Sequence, residues 1–174
     1  VVFDRDPLPA SLTDALRGAR FGAFRLDLTD EPACTQALAR TVADFGGVDA
    51  LVNNAGINDG VGLDAGSAAF RRSLEANLVH CYVMAHLCAK QLKARAGSIV
   101  NVSSKTALTG QGRTSGYVAS KAGLLGLTRE WAAALAPHGV RVNAVLPAEL
   151  WTPIYDPSLH TPHHPPVAKQ RITE

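Results

Sequence analysis

The 174-residue sequence has no apolar run long enough to span a bilayer, which takes about 20 consecutive residues. The opening stretch VVFDRDPLPA lacks the charged-then-apolar order of a signal peptide, so the chain is expected in the cytoplasm. Cysteine is scarce: Cys34, Cys81 and Cys88 are an odd number without paired metal-ligand spacing. Buried free thiols in a reducing compartment are expected, and no metal. An excess of one charge is missing as well. The formal net charge of +2 is spread along the chain rather than gathered into a basic stripe, which excludes nucleic acid and anionic membrane surfaces as expected partners. There is no short-period repeat and no low-complexity tract. Only the tail TPHHPPVAKQRITE is too rich in Pro and His for regular structure, so residues 155–174 are expected to be irregular. His160, His163 and His164 in that tail lack the spacing of metal ligands.

What is present is the make-up of one ordered domain, with 47% hydrophobic and 18% charged residues. Short β-branched runs alternate with longer helical patterns. VVFD, RFGAFRLDL, VDALVNNAG, SIVNVSS and VRVNAVLP read as strands, separated by the helical stretches SLTDALRG, EPACTQALARTVADFGG, SAAFRRSLEANLVHCYVMAHLCAKQLKARAG and GYVASKAGLLGLTREWAAALAPHG. Apolar strands without polar alternation, each followed by a helix, predict a parallel sheet covered by helices on both faces. Functional groups then gather at the carboxyl ends of the strands. Asp4, Asp27, Asn53 to Gly56, Ser103, Ser104 and Pro147 all close a predicted strand.

Tyr117 and Lys121 stand four apart on a predicted helix, so their side chains share a face. A tyrosine ordinarily loses its proton near pH ~10, but an adjacent ammonium favours the phenolate. The pair can then serve as a general acid or base near neutrality. An isolated YxxxK is more often a ring packed beside a solvated lysine, so this pair alone decides little. Ser104 closes the strand before the Tyr117 helix, where its hydroxyl can meet the phenol across the crevice of a parallel sheet. Its bland alternative, a cap or loop hydroxyl, suits the neighbouring Ser103 better. Asn77 is a polar residue in a long, mostly apolar helix, which fits a satisfied core asparagine or a helix-bending side chain equally well.

Together these residues resemble the short-chain dehydrogenase/reductase family from end to end of the chain. The resemblance is carried by NNAG after the strand VDALV, the Asn of LEANL, the second Ser of NVSS, YVASK beyond it and VRVNAVLPAELWTP at the final strand. It implies a Rossmann-like, doubly wound parallel sheet and a catalytic tetrad of Asn77, Ser104, Tyr117 and Lys121. Tyr117 would be the acid/base, Ser104 would orient the substrate oxygen, Lys121 would lower the Tyr117 pKa and hold the nicotinamide ribose, and Asn77 would steady a water in the proton relay. The cofactor implied is NAD. Asp4 would accept the adenosine ribose hydroxyls and repel a 2′-phosphate, while Arg5 beside it leaves NADP open. Asp27 and Leu28 would flank the adenine, Asn53, Ala55 and Gly56 would pass the adenosine side, and Pro147 and Thr152 would lie near the carboxamide. Ala148 departs from the glycine usual in the family at that place.

The loop SKTALTGQGRTSGY and the segment after it resemble the branch of the family that oxidises free sugars such as L-fucose. Lys105, Gln111, Arg113, Glu149 and Trp151 would offer that sugar hydrogen-bonding groups and one flat apolar wall, or would be plain exposed loop side chains. A homodimer or homotetramer through the helices around 67–94 and 116–136 is implied too. The family's glycine-rich turn is missing: glycines 60, 62 and 66, or 110, 112 and 116, have the wrong spacing and follow the wrong strands. The chain is therefore expected to be a partial single domain over 1–174, lacking the first strand at the centre of the sheet and the last strand. The competing expectation is an inactive fragment, or a non-catalytic partner of an intact paralogue.

Overall fold

A computed structural model of the chain describes residues 1–148. Glu149, Trp151, Thr152, the three histidines of the tail and the expected irregular stretch 155–174 lie outside them. The chain alternates as its sequence predicts: β1 (Val2–Asp4), α1 (Ala10–Ala15), β2 (Ala23–Arg25), α2 (Glu31–Phe45), β3 (Ala50–Asn53), α3 (Gly66–Leu74), α4 (His80–Ala94), β4 (Ser98–Val102), α5 (Thr106–Thr109), α6 (Ser115–Leu135) and β5 (Arg141–Val145). Every ladder is parallel.

Helix boundaries follow local chemistry. Asp30 opens α2 by accepting the Ala33 N–H at 3.0 Å, Pro32 sits in the first turn, and Gly46 ends the helix in the left-handed region at φ 86°. The long helix expected over 67–97 differs from its pattern. A π turn over Glu75–Val79 separates α3 from α4, and it carries Asn77, one of the alternatives open in the sequence. A further short helix, α5, forms inside the loop between β4 and α6.

The ladders fall into two groups, β1–β2 and β3–β4–β5. Each of β1 and β3 has one ladder partner among the described residues. One core holds the two groups together. Cys34 and Leu38 of α2, Met84, Cys88 and Leu92 of α4, Ile99 of β4 and Val142 of β5 form it, with Phe3, Leu51, Trp131 and Leu135 packed against it. Leu51, Ile99 and Val142 are register partners, so they point to one face, and α2, α4 and α6 cover that face. Val52, one residue on, points to the opposite face and is 59% exposed. All three cysteines are free and buried, and burial pushes the Cys81 and Cys88 thiols up to about 11.

A polar ladder runs through the covered side. Asn53 Nδ2 donates to Asn101 Oδ1 at 2.9 Å, Asn101 Nδ2 donates to Thr128 Oγ1 at 2.9 Å, and that hydroxyl donates to the Leu124 carbonyl at 2.7 Å. The chain of bonds ties β3, β4 and α6 in one register, because a slip would strand buried donors and acceptors. Asn101→Leu leaves the Asn53 amide and the Thr128 hydroxyl without that partner. The expected loss is about 1–3 kcal/mol per orphaned group, read as a lower urea midpoint; an unchanged midpoint would show that the ladder contributes nothing.

Candidate active site

The residues expected to close strands do stand at strand ends, whereas Asn77 lies on the π turn and Tyr117 and Lys121 on α6. Asp4 closes β1, Asp27 follows β2, the segment Asn53–Gly56 leaves β3, Ser103 and Ser104 follow β4, and Pro147 follows β5. They share the carboxyl edge of a parallel sheet, the edge at which such sheets bind ligands.

Lys121 is the centre of the arrangement. It is 4% exposed, its Nζ donates to the Val102 carbonyl at 2.8 Å, and it lies 5.6 Å from the Tyr117 ring centroid. Burial holds its pKa below the ordinary lysine value. The helical spacing of four therefore does bring amine and phenol ring together. Gly56 completes the approach from the other side. A Cβ there would stand 2.9 Å from Asn77 Oδ1 and 3.4 Å from Lys121 Nζ, so the loop after β3 comes this close only because the residue is glycine.

The turn-holding bonds that suited Ser103 in the sequence are made by Ser104. Ser103 Oγ donates to the Lys121 carbonyl at 2.8 Å, locking α6 to β4. Ser104 carries the turn: its Oγ accepts from the Thr106 N–H at 3.2 Å and from the Thr106 hydroxyl at 2.9 Å. With both lone pairs taken, the Ser104 proton remains the group it can give. Asn77 is wholly buried and both ends of its amide are engaged, Nδ2 with the Ser73 carbonyl at 3.0 Å and Oδ1 with the Ile57 N–H at 2.7 Å.

The cofactor-side residues divide. Asp4 is exposed and its Oδ1 takes the Asp6 N–H at 3.0 Å. The N–H and hydroxyl of Thr29 hold Asp27 as a carboxylate and depress its pKa. Leu28 packs against the core, and the Asn53 side chain turns inward to Asn101. Ala55 is half-buried. The Pro147 carbonyl accepts the Lys105 N–H at 3.0 Å, which ties the end of β5 to the loop after β4. Among the residues expected at a substrate, Gln111 Oε1 accepts from Asn58 Nδ2 at 3.4 Å, and Arg113 is exposed with φ 57°. The two loops are clasped by the Gly116 N–H to the Val61 carbonyl at 3.1 Å.

His80 and Ser73 were not anticipated. Ser73 Oγ donates to Asp59 Oδ1 at 3.1 Å and lies against Gly116. His80 is 3% exposed, with Nδ1 3.3 Å from the Glu75 carbonyl and Nε2 3.3 Å from Cys81 Sγ. The available signal for His80 was a lone imidazole three residues after Asn77 in an apolar stretch. Among the described residues no group of three His, Cys, Asp or Glu side chains forms a metal cluster, and no helix is long and apolar enough to cross a membrane.

Comparison with known proteins agrees with this geometry. The family model described as short chain dehydrogenase matches residues 2–162. L-fucose dehydrogenase of Mus musculus is 35% identical over 132 residues, covering 75% of this chain and 48% of that protein. The crystal structure of Cj0485 dehydrogenase superposes with a TM-score of 0.87 at 38% identity, over 97% of this chain and 65% of that one. Carveol dehydrogenase from Mycobacterium avium, solved in complex with NAD, gives 0.75 at 31% identity, over 82% and 53%. The chain spans about half the length of the mouse relative it matches. With a family model covering most of its length and parallel strands followed by helices, one of which carries the Tyr117–Lys121 pair, the chain belongs to the short-chain dehydrogenase family.

Proposed function

We propose that the protein oxidises a secondary alcohol with NAD, and that the alcohol is a free sugar such as L-fucose. The carrying observation is the Tyr117–Lys121 pair of α6, a phenol ring whose centroid lies 5.6 Å from the nitrogen of a lysine that is 4% exposed. When bound, NAD supplies the hydride acceptor. Tyr117 takes the hydroxyl proton, because a positive charge in a low-dielectric setting favours the phenolate. Ser104 donates a hydrogen bond to the substrate oxygen, keeping its own proton, and fixes the position of that atom. Lys121 biases Tyr117 and has further N–H groups for a ribose hydroxyl beside its bond to Val102. Asn77 anchors the loop carrying Gly56, so that a dinucleotide can pass close to the backbone there.

The residues present fit the adenosine half of such a cofactor. Asp4 stands exposed at the end of β1, where a carboxylate accepts ribose hydroxyls and repels a phosphate. The sugar is favoured by the likeness to the mouse enzyme and by polar Gln111 and Arg113 in the clasped loops; Lys105, Glu149 and Trp151 complete the proposed pocket. Thr152 and Pro147 are assigned to the carboxamide end. Assembly with a second copy through α4 and α6 is supported by an exposed aromatic cluster, in which the Tyr82 ring lies 6.3 Å from His86 and 6.5 Å from Trp131. We assign the protein to the cytoplasm and residues 1–174 to a single Rossmann-like domain.

A non-catalytic subunit is the second reading, favoured by the division of the sheet between β1 and β3. Titrating NAD and L-fucose against the purified chain separates the two. NADH formation sustains the enzyme, whereas absence of both binding and turnover favours the subunit.

In the active protein, Tyr117→Phe is expected to lower kcat by about 10²–10⁴-fold while NAD affinity is retained; unchanged turnover would remove Tyr117 from the role of base. Asp4→Ser is expected to raise the NADP-to-NAD ratio of kcat/KM by about tenfold or more, as removal of a carboxylate facing a phosphate implies. Steady-state rates with the two cofactors check this, and an unaltered ratio would place the ribose elsewhere.

A further inference from the structure

Ser73 has no part in the proposed chemistry, yet it is wholly buried where α3, α6 and the loop after β3 meet. α6 begins just ahead of Tyr117, and its own sequence secures that start poorly. The Thr114 side chain at the cap position makes no hydrogen bond to the first turn, and Gly116 is a weak helix former. The N–H groups of a first turn have no partner within the helix. One of them, the Gly116 N–H, is taken by the Val61 carbonyl at 3.1 Å.

Ser73 bears on both sides of that bond. Gly116 packs so closely on it that a Cβ there would clash with Ser73 Oγ and stand 2.6 Å from Ser73 Cβ. A carboxylate only accepts, so the Ser73 hydroxyl is the donor to Asp59 Oδ1 at 3.1 Å, in the loop that carries Val61. The Val61 N–H is directed at the same oxygen, 3.5 Å away. The Ser73 carbonyl meanwhile accepts from Asn77 Nδ2 at 3.0 Å. One small side chain therefore joins the loop to the face on which the first turn of α6 rests.

We propose that Ser73, held by Asp59, is a positioning residue for Tyr117: it gives the first turn of α6 a fixed seat in place of a side-chain cap. The seat is a property of the fold. Its effect on turnover rests on the function proposed above. Lys121, one turn further along α6, keeps its own bond to the Val102 carbonyl, so loss of the seat is expected to displace the phenol and spare the amine.

Substitutions at the two ends of the Ser73–Asp59 bond test this. Ser73→Ala keeps the Cβ under Gly116 but offers Asp59 no donor. Asp59→Ala removes the acceptor, whereas Asp59→Asn retains it, because both groups facing Oδ1 are donors. In Ser73→Ala and in Asp59→Ala the Gly116 amide is expected to exchange with solvent about tenfold faster, the effect of one lost hydrogen bond. The double variant should match either single one within about twofold, since both remove the same bond. Asp59→Asn should stay within about threefold of the unaltered protein. Turnover should follow the same order, with kcat about tenfold lower in the two alanine variants and NAD affinity retained. Unchanged exchange in Ser73→Ala, additive effects in the double variant, equal loss in Asp59→Asn and Asp59→Ala, or NAD affinity falling as far as kcat would overturn the assignment. If Ser73→Ala does not fold, the two Asp59 variants decide. Should the unaltered protein show no turnover, the proposed function fails while the exchange result still judges the seat.

Discussion

The Lys121 ammonium is the constraint to which the surrounding structure answers. A charge this deeply buried requires hydrogen-bond acceptors, because removing it from water costs several kcal/mol when it is unpaired. The Val102 carbonyl at the end of β4 supplies one at 2.8 Å. That bond needs β4 and α6 in fixed relation, and the Ser103 hydroxyl provides it from the next residue by holding the Lys121 carbonyl. Deeper in the sheet the Asn53–Asn101–Thr128 ladder fixes the same two elements and adds β3. Three polar devices at successive depths therefore set the position of one amine.

Close approach is the second demand. The Asn77 amide can approach the loop after β3 because residue 56 has no side chain, and α6 can touch α3 because residue 116 has none, its place being filled by Ser73. Each glycine lies beside a polar side chain of α3 or the π turn, so the packing around the amine is both tight and polar. The π turn belongs to the same logic. It carries Asn77, which reaches the loop that bears Gly56 through the Ile57 N–H, while the Ser73 and Glu75 carbonyls are met by the Asn77 and His80 side chains.

Much of this was legible in the sequence, for a reason specific to parallel sheets. Period and length mark each strand and helix, and connectivity then sends every strand end to one edge, so Asp4, Asp27, Gly56, Ser104 and Tyr117 could be placed without knowing a distance. Tyr117 and Lys121 were legible because their spacing of four is itself a contact rule. The π turn was not, since one residue's change of phase inside an apolar helix leaves no pattern of period 3.6 to detect. That Ser103 meets α6 while Ser104 holds the turn was not legible for a similar reason: adjacent residues at a strand end point to opposite sides, and which one meets α6 depends on the exit angle of the chain. The inward bond of the Asn53 side chain to Asn101 was not legible either, since NNAG reads as a segment passing a cofactor and carries no sign of strand alternation.

The burial that makes Lys121 hard to charge also makes it effective once charged. In water an ammonium near a phenol is screened, whereas the same pair in a low-dielectric crevice interacts several times more strongly. The two effects oppose one another in the lysine, since burial lowers its own pKa while strengthening its pull on Tyr117. Their balance turns on acceptors. Val102 takes one of three N–H groups, and each added acceptor, whether a phenolate or a ribose hydroxyl, stabilises the charged amine. On the proposed function, a ligand hydroxyl arriving at Lys121 would therefore do more than bind. It would hold the ammonium in the form that acidifies Tyr117, so that the base becomes fully competent when the cofactor is in place.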